Sequence, residues 1–131
     1  METETPARIL IVDDNDVVRR ALRGLIRHDE SFVVVGEASS GHSALEAIAT
    51  LEPDLVCLDV FMPGPDGLTI LRNIREKYPN IRVVLITGQS TSEVVTQARE
   101  LGADGFVVKP FNGARVLGAI RNALRREGKA A

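Results

Sequence analysis

Asp13, Asp14, Asp59, Thr87 and Lys109 are the residues of this 131-residue chain whose types could do chemistry as a group. Three carboxylates can converge on a hard divalent cation, which takes oxygen ligands. A carboxylate can also attack phosphorus and carry the phosphoryl group as an aspartyl phosphate, provided cations neutralise the phosphoryl oxygens. Lys109 offers an ammonium for that purpose and Thr87 a hydroxyl donor. Without a metal, carboxylates about 4 Å apart repel by about 4 kcal/mol at an effective dielectric of roughly 20. Chains keep such liabilities mainly at functional sites.

Each of these residues stands at the end of a short apolar run. Asp13-Asp14 follow Ile9-Leu10-Ile11-Val12, and Asp59 follows Leu55-Val56-Cys57-Leu58. Thr87 follows Val83-Val84-Leu85-Ile86, Lys109-Pro110 follow Phe106-Val107-Val108, and a fifth run is Phe32-Val33-Val34-Val35. The runs are continuous and mostly β-branched, as strands are when helices cover both faces of a sheet. Between them apolar residues recur at helical spacing: Val18, Leu22, Leu25 and Ile26; Leu45, Ile48 and Leu51; Leu68, Leu71 and Ile74; Val94, Val95, Ala98 and Leu101; Val116, Leu117, Ile120 and Leu124. Strand and helix alternate, which predicts an α/β chain with a doubly wound parallel sheet of five strands. Ligands of such sheets bind beyond the carboxyl ends of the strands, where the five polar residues fall.

Local roles compete for some of these residues. Asp and Asn favour helix N-caps, so one of Asp13, Asp14, Asn15 and Asp16 is expected to cap the first helix. Asp66, at the end of the turn Met62-Pro63-Gly64-Pro65-Asp66-Gly67, is the expected cap of the third. Asp59 is left without a structural role. A lone strand-end Lys or Thr is usually structural, and only the constellation points to a site. Few oxygen ligands with open positions suit Mg²⁺, with Mn²⁺ as the alternative, better than zinc, which takes His or Cys. His28 and His42 sit at helix ends and add nothing to such a site, and Gly88 leaves room for an anion beside Thr87.

Composition sets the frame. The length fits one domain, expected over residues 7–126 with short tails at 1–6 and 127–131. A net charge of −2 and a pI of about 5.7 give no sign of a nucleic-acid binder. Arg115, Arg121, Arg125 and Arg126 put a basic accent on the last helix, read as a solvated face near a helix C-terminus. Cys57, the single cysteine, lies in an apolar run and is read as a core residue. No apolar run has membrane-spanning length, and the expected location is the cytoplasm.

The segments Ile9–Asp14, Leu55–Gly64, Asp66-Gly67, Val84–Gly88, Gly102-Ala103 and Gly105–Phe111 together resemble the receiver domain of two-component response regulators, of the single-domain chemotaxis type. The resemblance covers almost the whole chain. It implies a flavodoxin-like fold with strand order 2-1-3-4-5. It implies that Asp59 accepts a phosphoryl group from a histidine kinase or a histidine phosphotransfer protein. Asp13, Asp14, Asp59 and the main-chain carbonyl of Phe61 would hold Mg²⁺, Lys109 would pair with the phosphate, and the Lys109–Pro110 bond would be cis. Thr87 and the ring of Phe106 would switch the surface of the fourth helix, fifth strand and fifth helix toward a downstream protein, with homodimerisation possible. Phe61 and Gln89 stand where the family tunes the lifetime of the phosphoryl group, and bulky Phe61 is expected to slow attack by water.

The chain departs from the family in two places. Phe106 replaces a common Tyr, and Pro65 replaces an apolar residue, often Met, in the loop before the third helix. The expectation is a stand-alone regulator that reports through its own surface; the alternative is the receiver of a longer regulator with an output domain.

Three other functions compete. A phosphatase working through an aspartyl phosphate needs a second acid two residues after the nucleophile, and Phe61 occupies that position. A phosphorylation-independent scaffold has no need of Asp14, Asp59 and Lys109 together. Nucleotide binding is disfavoured because no Gly-rich loop follows the first strand.

Overall fold

Apolar runs pair side by side where hydrogen-bonding main chain and β-branched side chains can both be satisfied, and here they form one parallel sheet. The computed structural model describes residues 5–88 and 91–125. Its elements alternate without exception: β1 (Ala7–Val12), α1 (Asp16–Arg27), β2 (Phe32–Ala38), α2 (Gly41–Leu51), β3 (Leu55–Leu58), α3 (Gly67–Lys77), β4 (Arg82–Thr87), α4 (Ser92–Glu100), β5 (Gly105–Val108) and α5 (Gly113–Arg125). The strand order is β2-β1-β3-β4-β5, every pair parallel. The chain thus has the doubly wound, flavodoxin-like architecture expected of it. Arg126 and both predicted tails apart from Thr5 and Pro6 lie outside the described residues.

The period-two alternation of strand side chains divides the core in two. Leu10, Val12, Val56, Leu58, Val83 and Leu85 pack with Ala44, Ile48, Ile70, Leu71, Ile74 and Ala98 of α2, α3 and α4. Ile9, Ile11, Leu55, Cys57, Val84 and Ile86 pack with Leu22, Ile26, Val116, Ile120 and Ala123 of α1 and α5 on the other face. β3 is buried at every position, whereas β2 and β5, the edge strands, are only partly covered. An apolar run of sequence cannot distinguish an edge from a centre, and β2 also continues through Gly36-Glu37-Ala38. A bulge there, between the pairs Ile9–Val34 and Leu10–Gly36, leaves Val35 without a partner on β1.

The helix starts follow the local chemistry. Asn15 caps α1 by accepting from the Val18 amide, Asp66 caps α3 through Thr69, and Ser40 and Ser43 form a reciprocal capping box on α2. Cys57 is a core residue whose thiol burial pushes up to about 12, which removes it as a nucleophile.

At the amino ends of β4 and β5, opposite the strand-end acids, lies a polar tie that sequence reading did not anticipate. Arg75 of α3 donates from Nη2 to Asp104 Oδ2 at 2.6 Å, from Nε to the Gly102 carbonyl at 3.0 Å and from Nη1 to the Ile81 carbonyl at 2.7 Å. The fully buried Asp104 carboxylate also accepts from the Val83 amide at 2.9 Å. Removing one member of a buried pair strands the other charge and costs about 3–5 kcal/mol. Asp104→Ala is therefore expected to lose about that much stability in urea unfolding with an unchanged m-value; a loss below about 1 kcal/mol would show the tie to be energetically idle.

Candidate functional site

The order of the strands reverses between β1 and β3, and the acids sit at that switch point. The main-chain ladder runs one residue past the strands to put them there. The Asp13 amide donates to the Ala38 carbonyl at 3.1 Å, the Asp59 amide to Val12 at 3.0 Å and the Lys109 amide to Thr87 at 2.9 Å. Asp13, Asp59, Thr87 and Lys109 are thus held by the sheet itself. Among the described residues, Asp13, Asp14 and Asp59 form the group able to hold a metal ion, with one oxygen from each within 4.8 Å of the others.

Asp13 and Asp59 retain only 1% and 5% of their exposure, and Thr87 none, so two carboxylates are buried side by side. Lys109 answers them. Its Nζ lies 2.8 Å from Asp13 Oδ2 and 3.4 Å from Asp59 Oδ2. The contact with Asp13 is charge to charge and gives Oδ2 no well-directed hydrogen bond, while Oδ1 accepts from the Asn15 amide at 2.9 Å. A buried oxygen with that spare capacity, beside two more carboxylates, is the donor set of a hard oxygen-ligated cation. The residues therefore fit Mg²⁺.

Burial first, and then the charge of Asp13, push the Asp59 carboxyl above its ordinary value, against the downward pull of Lys109 and a hydrogen bond from the Phe61 amide. For Lys109 burial pulls downward, but the contacts and charges of Asp13 and Asp59 outweigh it and the net shift is upward. The ammonium is therefore fixed in its charged form between the two acids, yet it does not fully offset the burial of Asp59 and the charge of Asp13 beside it.

The chain as a whole has known relatives. Residues 9–121 match the family model described as the response regulator receiver domain. The chain belongs to this family. It is 37% identical to the nitrate/nitrite response regulator NarL of Escherichia coli over 127 residues, 97% of this chain but 59% of that protein, so it spans about three fifths of that regulator. It is 36% identical to the chemotaxis protein CheY of Listeria monocytogenes, covering 90% of this chain and 98% of that one. Among solved structures, the CheX–CheY–BeF₃–Mg²⁺ complex from Borrelia burgdorferi superposes with a TM-score of 0.87 at 32% identity, covering 92% of this chain and 91% of that one. Receiver domains belong to two-component signalling, and Mg²⁺ and phosphorylation are typical of the family.

Other residues singled out in the sequence also find their places. Phe61 is exposed, and its neighbour Met62 packs into the core. The Lys109–Pro110 bond is cis. Phe106, paired with Leu85 across the β4–β5 ladder, is partly buried against the core under α2, α3 and α4. Arg115, Arg121 and Arg125 lie exposed on α5, with Arg121 Nη2 on Asp29 Oδ2 at 2.5 Å. Gln89 lies outside the described residues. No described helix is long and apolar enough to cross a membrane.

One contributor escaped sequence reading. The loop from Phe61 to Asp66 lies on the start of α2, where the Gly41 amide meets the Pro63 carbonyl at 3.4 Å. A Cβ on Gly41 would come within 2.1 Å of the Pro65 carbonyl oxygen, so only glycine admits the loop at this distance. Pro65, a departure from the family pattern, is thus itself part of the loop's seat on α2. A glycine opening a predicted helix directly after Ser40 was the available signal.

The raised Asp59 carboxyl makes a sign prediction. A folded-state value above the ordinary 3.8 means that stability present below pH 3.8 is lost as the pH rises through the folded value. At neutral pH the charge is therefore a full liability. Asp59→Asn in metal-free buffer is expected to raise Tm at pH 7, by roughly 4 °C for each kcal/mol of repulsion relieved, and to converge with the parent below about pH 3.8. A lower Tm for the variant at pH 7 would contradict it.

Proposed function

We propose that this domain is a phosphoacceptor in which Asp59 receives a phosphoryl group from a phosphohistidine of a sensor kinase or histidine phosphotransfer protein. The carrying observation is the position of Lys109 Nζ, shared between Asp13 and Asp59 beside the exposed Asp14. An Asp59 oxygen bonds to phosphorus while the phosphorus–nitrogen bond to the donor imidazole breaks. Asp13, Asp14, Asp59 and the main-chain carbonyl of Phe61 would hold Mg²⁺, which would neutralise phosphoryl oxygens. Lys109 turns from the acids to the new phosphate as the charge on Asp59 is consumed, and Thr87 donates its hydroxyl to a phosphoryl oxygen. The likeness to the Borrelia CheY solved with BeF₃ and Mg²⁺, and the absence of a second acid at Phe61 to drive turnover, support a signalling role rather than an enzymatic one.

The phosphoryl group adds about 1.5 to 2 negative charges at the rim. Thr87 ends β4 and Phe106 pairs one strand over, so the readout is assigned to the α4–β5–α5 face, with a downstream protein or a second copy as partner. The receiver is assigned to residues 7–126 and to the cytoplasm, with no direct contact of its own to nucleic acid or membrane.

Incubation with Mg²⁺ and acetyl phosphate is expected to add one phosphoryl mass to the parent and none to Asp59→Asn, and to add none once Mg²⁺ is chelated. Labelling of the variant, or none in the parent, would refute the assignment. Exposed Phe61 stands beside the acceptor as a barrier to water. Phe61→Asn is expected to shorten the phosphoryl half-life several-fold in a decay assay; equal or slower decay would remove that role.

A further inference from the structure

Arg19 lies in the first turn of α1, where the helix dipole disfavours a cation. Its guanidinium is nevertheless held there on three sides. Nη1 donates to the main-chain carbonyl of Asp13 at 2.8 Å, Nη2 meets Asp16 Oδ1, and Nε lies 3.3 Å from Glu37 Oε1. Arg23, one turn on, takes the other oxygen of Glu37. Partly exposed ion pairs of this kind contribute little to stability, so their arrangement calls for a different account.

That account begins in β2. Before the bulge at Val35, the side chains of Phe32 and Val34 share the α1 face with Ala7 and Ile9. Had the register continued, Glu37 would pair with Val12 and point to the opposite face; the extra residue pairs it with Ile11 instead and turns it toward α1. An edge-strand bulge thus delivers the carboxylate that aims Arg19. The carbonyl that Arg19 grips belongs to the peptide joining Asp13 to Asp14. That peptide is planar, so fixing the direction of its oxygen fixes the plane from which both acids depart.

We infer that Arg19, aimed by Glu37 through the β2 bulge, is a positioning residue that sets the orientation of the Asp13–Asp14 pair for cation binding. Arg19 touches neither the cation nor the phosphoryl group; it acts through the backbone of two ligands. The inference rests on the reading of Asp13 and Asp14 as metal ligands. Lysine cannot replace it, because an ammonium keeps the charge but lacks the planar fork that meets a carbonyl and two carboxylates at once.

The test is Mg²⁺ affinity by calorimetric titration at fixed ionic strength for the parent, Arg19→Lys, Arg19→Gln and Glu37→Gln, each checked for folding by circular dichroism. Positioning predicts weaker binding in all three variants, by about tenfold, as for other groups that orient metal ligands. In metal-free protein it also predicts faster amide exchange at Asn15, whose N–H donates to Asp13 Oδ1. Parent-like affinity in Arg19→Lys would overturn the inference. So would tighter binding in Arg19→Gln alongside weaker binding in Glu37→Gln, the signature of charge acting at a distance. A lowered Tm with unchanged affinity would make the network a structural tie and overturn it as well. Should Arg19→Lys fail to fold, Glu37→Gln decides alone. Failure of the parent to bind Mg²⁺ would sink the metal reading, and unchanged Asn15 exchange in the variants would then sink the positioning role separately.

Discussion

The structure depends on keeping three carboxylates at one end of a parallel sheet with one ammonium among them. Asp13 and Asp59 are almost fully buried, and burial together with the charge of Asp13 outweighs Lys109, at 2.8 and 3.4 Å, so that the Asp59 carboxyl stays raised. Side-chain contacts could not hold such a group together, because the acids would simply turn apart. Main-chain bonds do it instead. The ladder continues past β1, β3 and β5, so Asp13, Asp59 and Lys109 are each fixed at the main chain by a bond that no side-chain repulsion can break alone. The cost is carried by the two apolar layers beneath, which bury nearly every residue of β1, β3 and β4.

Much of this was legible in sequence because it rests on local pattern. The central strands are apolar runs with an acid or hydroxyl at the end, and their alternation with helical stripes leaves few topologies. The caps Asn15 and Asp66 follow from residue type at a helix start. Glu37 and the bulge could not be read, since Gly36-Glu37-Ala38 looks like the exit from a strand and belongs to one only because β1 offers an edge to pair with. Arg75 and Asp104, 29 residues apart, look like ordinary surface charges until α3 and the start of β5 meet. A clue existed in Asp104, an acid just before an apolar strand with no helix to cap. The strand order itself came from family resemblance, since alternation alone permits other doubly wound orders.

The second constraint is close approach. The acceptor's own loop runs from Phe61 to Asp66 and is fixed at both ends by glycine. A Cβ on Gly67 would fall 2.2 Å from the Asp59 carbonyl oxygen, while its amide donates to the Val60 carbonyl at 2.7 Å. Gly41 admits the far side of the loop onto α2 in the same way. The segment is short and closed by these contacts, so it has little freedom to follow a change at Asp59. Phe61 is thus an exposed side chain on a segment whose main chain is constrained.

A charge added at this rim can only be answered by an element that is not fixed at both ends, and that narrows the choice. The loop after β3 is seated on α2, and α1 is bound to the Asp13 carbonyl through Arg19. α4 differs. It is the shortest helix, it buries only Ala98, and its capping residue Thr91 stands four residues beyond Thr87. Its far end is anchored, because the Gly102 carbonyl and Asp104 that follow it are held by Arg75. A helix whose buried residue, Ala98, lies in its last turn and whose far end is anchored at the base of the sheet is held mainly at that end. The Arg75–Asp104 tie gives α4 the fixed end that the proposed readout at the α4–β5–α5 face would need.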